Sequence, residues 1–164
     1  MTIQQKPDLC RIGECAFAEV CEVLLSLKAS VQTSSRMPAP APAVNLITGT
    51  VGLTGERISG AVRLSLPHAF VARAFRILTG LADPPQGETE LLNDIAGELT
   101  NMAAGRVAAR LIQVGYPCSL GTPLISRGGT ATLQPDPEAE HARAEFLCEE
   151  HLLSLEVQAS YSNP

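Results

Sequence analysis

"VNLITGTVGLTGERISGAVRLSL", residues 44–66, holds two extended runs separated by the short polar turn "TGER". Its second arm alternates: Ile58, Val62, Leu64 and Leu66 fall on one side, Ser59, Ala61, Arg63 and Ser65 on the other. That is the period of a half-buried strand. Strands joined by so short a turn run antiparallel, because a parallel pair needs a crossover of a dozen or more residues. Gly49, Gly52 and Gly55 do not form a phosphate loop, since no Gly-Lys-Ser/Thr follows them and no helix opens there. They read as strand glycines that permit bending or close backbone approach.

Downstream, Pro67 opens a short helix, "PHAFVARAFRILTG", with Gly80 where helices favour their C-terminal cap. "LADPPQG" is a loop, and the longest helix follows, from about Glu88 to Val114 and ending at Gly115. "CSLGTPLISRG" reads as a strand interrupted by Pro123, and "HARAEFLC" with "LLSLEVQAS" as a second hairpin. Upstream, residues 10–29 place Phe17, Val20, Leu24 and Leu27 at helical spacing. The Pro-Ala alternation of "TSSRMPAPAPA" cannot hold a helix, so residues 33–43 are expected as an extended, exposed connector. The order is helix-strand-strand-helix-helix-strand-strand-strand. Adjacent strands in runs predict an α+β fold, an antiparallel sheet packed against the long helix. Residues 1–164 are expected to form one domain.

Composition sets limits on function. Of the 164 residues 45% are hydrophobic and none is Trp, so the core must be aliphatic. A formal charge of −5 argues against nucleic-acid binding, which needs a basic face. Cys10, Cys15, Cys21, Cys118 and Cys148 are odd in number and form no CxxC pair. Reduced, partly buried thiols are expected, with no disulfide framework and no metal centre. His68, His141 and His151 are widely spaced and fit no ligand motif, and no GxSxG elbow supports a Ser-His-Asp hydrolase. The N-terminus has no signal pattern and no apolar run reaches membrane-spanning length, so a soluble, cytoplasmic protein is expected.

The long helix carries an anomaly, "NDIAGELTNMAAG", residues 93–105. At about 100° per residue, Asp94, Glu98 and Asn101 fall within about 60° of one another. Gly105 and Ala108 continue the line, while Leu92, Ile95, Leu99 and Met102 occupy a separate, core-facing sector. Asp, Glu and Asn on a helix exterior are ordinary. Yet Asn is a mediocre helix former, and Gly97 and Gly105 each cost about 1 kcal/mol relative to Ala.

Asp94, Glu98 four residues on, Asn101 three beyond and Pro123 a further twenty-two on resemble the signature of the CheX/CheC/FliY family of chemotaxis phosphatases. The chain order, with a Gly-rich hairpin ahead of the motif helix, is similar too. CheC-like members carry the motif on two helices. Here the first helix offers Glu19 and Glu22 without an Asn three residues later, so the chain looks CheX-like. The resemblance implies removal of phosphate from the aspartyl phosphate of a CheY-like receiver domain. Asn101 would align the attacking water and Glu98 would pair with the receiver's Lys. Asp94, Gly105 and Ala108 would border the partner, and Pro123 would shape the neighbouring strand. Mg²⁺ would belong to the receiver, and a homodimer is expected. Two rival readings remain at this level: a non-catalytic CheX-like module that docks on a receiver or another signalling partner, and a small-ligand sensor using the hairpin glycines.

Overall fold

The computed structural model describes residues 6–36, 45–128, 133 and 136–162. Its first helix, α1 (Leu9–Leu25), is capped by Asp8, whose carboxylate accepts from the Arg11 amide, and closed by Ser26 in the left-handed region at φ 54°. The expected helix therefore stops four residues early. Ala29–Ser35 forms an edge strand, β1, where the sequence had suggested a helix end followed by connector. Residues 37–43 of that connector lie outside the described residues.

The hairpin appears as β2 (Leu46–Thr54) and β3 (Ile58–Pro67), followed by α2 (His68–Thr79) and α3 (Thr89–Gln113). Pro123 divides the next extended stretch into β4 (Ser119–Leu120) and β5 (Leu124–Arg127). A second hairpin, β6 (Glu140–Cys148) and β7 (His151–Tyr161), completes the fold. The strands form one antiparallel sheet in the order β1-β6-β7-β3-β2-β4, with β5 also paired to β2. The α+β class stands, with β1 added at one edge.

α1 and α3 pack on the same face of the sheet. Gly49, Leu64 and Leu155 are cross-strand neighbours and so share a face of the sheet. A Cβ on Gly13 of α1 would meet Leu155 at 3.5 Å, and Thr100 of α3 lies directly over Gly49. The aliphatic core fills the space between, with Phe17 of α1 edge-on to Phe146 of β6 at 5.0 Å. β3 is central, and both its faces are buried from Val62 to Leu66, not only the apolar one. Arg63 faces away from the helices and pairs with Glu156 at 3.3 Å, while Arg143 approaches the same carboxylate at 3.8 Å. Among the described residues no helix is long and apolar enough to cross a membrane.

Candidate functional site

α3 lies over β2 and β3. Its buried residues are mostly small: Ala96, Thr100, Ala103, Ala104 and Ala108 sit among Leu92, Leu99, Val107 and Leu111. Ile95 and Met102, expected in the core, are only half-buried at its margin. The reason is Gly49. A Cβ there would lie 2.0 Å from Thr100 Oγ1, so the strand backbone and the helix approach more closely than larger side chains would allow.

The three polar residues of the motif are exposed. The side chains of Asp94, Glu98 and Asn101 make no hydrogen bond or ion pair among the described residues. They border a shallow depression of about 460 Å³, lined by Asn93, Asp94, Gly97, Glu98, Asn101, Pro123 and Ile125. One wall is the helix. The other is β5 with the residue that precedes it, and Ile125 Cδ1 would stand 3.7 Å from a Cβ on Gly97. The structure thus brings Asp94, Glu98, Asn101 and Pro123 together, although Pro123 is twenty-two positions from Asn101 in sequence.

Gly105 and Ala108 do not join them. Gly105 is half-buried one turn beyond Asn101, and Ala108 is only 6% exposed within the core. Ala108 is therefore not a partner-facing residue.

Two contributors carried no recognised signal. Arg127 of β5 donates from Nε to Asn93 Oδ1 at 2.8 Å and from Nη2 to the Thr89 carbonyl at 2.9 Å, clamping the strand to the start of α3. Strand alternation after Pro123 places Ile125 and Arg127 on its side, which was the available clue. Leu124 points the other way and is 73% exposed. The second contributor is Thr100, whose hydroxyl donates to the Ala96 carbonyl at 2.7 Å.

Glu19 of α1 is not free. It accepts from Arg106 Nη1 at 2.9 Å and Arg110 Nη2 at 2.7 Å, both on α3. The Arg110 hydrogen bond, opposed by some burial and aided by the charge of Arg106, holds its carboxyl below the ordinary range. This carboxylate ties two helices together, whereas Glu98 is exposed and has no side-chain partner among the described residues. Among the described residues no group of three or more His, Cys, Asp or Glu side chains gathers at a metal-binding distance.

A sequence model described as chemotaxis phosphatase CheX matches residues 47–147, more than half of the chain. No curated protein matches by sequence. Among solved structures, the chemotaxis protein CheX of Vibrio vulnificus superposes with a TM-score of 0.79 at 18% identity, covering 94% of this chain and 100% of that one. A CheC-like superfamily protein of a Shewanella species gives 0.80 at 17% identity, over 95% and 99% of the two chains. CheX in the CheX-CheY-BeF3-Mg²⁺ complex of Borrelia burgdorferi gives 0.74 at 13% identity, over 94% and 99%. At these identities the likeness is one of fold.

Proposed function

The chain belongs to the CheX family, and from that premise we propose that it dephosphorylates the aspartyl phosphate of a CheY-like receiver domain. The observation that carries this reading is the pairing of Glu98 and Asn101, exposed and unpartnered on one turn of α3 beside the Pro123 wall. Phosphoryl transfer passes through a loose transition state, so placing the water matters more than a strong base. A carboxamide suits that placement. It accepts a hydrogen bond from water, donates another, and stays neutral beside an anionic phosphoryl group. The oxygen of the water bonds to phosphorus, the acyl P–O bond breaks, the receiver's aspartate leaves as carboxylate, and inorganic phosphate carries the proton away.

Glu98 docks the helix by accepting from the receiver's active-site ammonium, an interaction that strengthens as the interface excludes water. Asp94, one turn earlier, extends the acidic line toward the same partner. Mg²⁺ resides on the receiver, as the composition of the Borrelia complex suggests for its CheY. The exposed edge of β1 leaves room for a second copy of the chain, consistent with a homodimer, which light scattering tests.

The test is phosphate release from a phosphorylated receiver in Mg²⁺. Asn101→Ala abolishes the stimulation, a loss of about 10²-fold or more for a misplaced water, and leaves binding to a beryllofluoride-activated receiver largely intact. Glu98→Ala weakens that binding instead. Full activity in Asn101→Ala removes the water-positioning role. A receiver that binds normally but loses phosphate no faster favours the non-catalytic docking module.

A further inference from the structure

We propose that Thr100, seated against Gly49 of β2, is a positioning residue that sets where Asn101 stands relative to Glu98 and to the β5 wall. The inference rests on the phosphatase reading above and adds the element that makes its geometry reproducible.

Three elements meet at Gly49. It pairs with Leu64 of β3 on one side and with Ile125 of β5 on the other. Above it lies the fully buried Thr100 of α3. A Cβ built on Gly49 would fall 2.0 Å from Thr100 Oγ1, 2.7 Å from its Cβ and 2.8 Å from its Cγ2. The three nearest atoms all belong to this one side chain. The threonine therefore occupies the space that any other residue at position 49 would need. Its hydroxyl is turned back to the Ala96 carbonyl at 2.7 Å, which fixes the rotamer and leaves the methyl and oxygen as a rigid knob.

The knob sits in the turn that presents the site. Glu98 lies two residues before Thr100 and Asn101 one residue after it. Ile125, paired with Gly49, lines the depression two residues from Pro123. One contact thus registers both walls. Relieving a 2.0 Å approach to the 3.4 Å of ordinary van der Waals contact needs about 1.4 Å of movement (3.4 − 2.0), more than the ~1 Å displacement able to cost about 10²-fold in rate. Glu98, with three side-chain torsions, re-reaches its cation after such a shift. Asn101, with two, does not restore the line of attack.

The experiment measures kcat for phosphate release at saturating phosphorylated receiver, affinity for the beryllofluoride-activated receiver, and the thermal transition, in wild type, Gly49→Ala, Thr100→Gly and the double variant. Gly49→Ala lowers kcat by about 10²-fold with little change in affinity. Thr100→Gly empties the notch without crowding it and lowers kcat less, and it carries the test if Gly49→Ala does not fold. The double variant moves the knob from helix to strand and regains kcat over either single change. Unaltered kcat in folded single variants of an active wild type overturns the positioning role. So do equal losses of kcat and affinity that the double variant fails to repair. An inactive wild type instead overturns the phosphatase reading, and the inference falls with it.

Discussion

Gly105 shows how a single residue separates two demands on one surface. It lies in the middle of α3, where glycine costs about 1 kcal/mol relative to Ala, yet a Cβ there would meet nothing within 4 Å. Nothing inside the chain requires the missing side chain. Gly105→Ala should therefore raise stability by about 1 kcal/mol in denaturant titration. If the surface one turn beyond Asn101 meets the receiver closely, the same variant weakens binding despite its greater stability. Unchanged binding would confine the interface to the Asp94–Asn101 side. At this scale the sequence was legible where helical angle decides exposure, as for Asp94, Glu98 and Asn101. It misled at Ala108, which is only 6% exposed, because the elements that cover a helix are not encoded in the helix's own residues.

Elements were read unequally for physical reasons. α3 and the two hairpins announced themselves through caps, turns and alternation. β1 did not, since "ASVQTSS" has a single large apolar residue, Val31, and as an edge strand it buries little beyond Ala29. Arg127 passed unnoticed because its partners, Asn93 and the Thr89 carbonyl, are neutral and lie more than thirty positions away. Between elements, the α1–α3 clamp makes a prediction about pH. Glu19 has a lowered pKa, chiefly through Arg110. Its contribution to stability is complete above the unfolded carboxylate value of about 4.3 and is lost as pH falls through the lower folded value. Glu19→Gln should therefore unfold at lower denaturant than wild type at neutral pH, with the gap closing in acid. A gap constant across that range would show that the arginine pairs do not stabilise the docking of the two helices.

Across the whole molecule, the thiols report how much of the fold opens together. Cys15 is exposed on α1, whereas Cys21 of α1 and Cys148 of β6 are buried in the core with their thiols against one another. Burial pushes both of these thiols upward in pKa, which suppresses the reactive thiolate. Under native conditions Cys15 should label rapidly with a thiol reagent. Cys21 and Cys148 should label together at the rate of global opening, followed by mass spectrometry. Labelling of one of the two well ahead of the other would show that they are not uncovered by a single opening. The same long-range packing explains the limit of a local reading. The two hairpins were visible in their own residues, but that an edge strand β1 would lie beside β6 depends on contacts between distant parts of the chain.

Among the described residues β7 is the last of seven strands in sequence, yet it stands at the centre of the sheet, between β6 and β3. A chain emerging from the ribosome cannot join the two halves of this sheet until that strand arrives. Until then β3 presents an unsatisfied ladder, and the apolar face of α1 waits for β6 and β7. Nascent molecules therefore pass through a vulnerable interval in which either half can pair with a neighbour, making holdase capture during synthesis a natural companion of this topology.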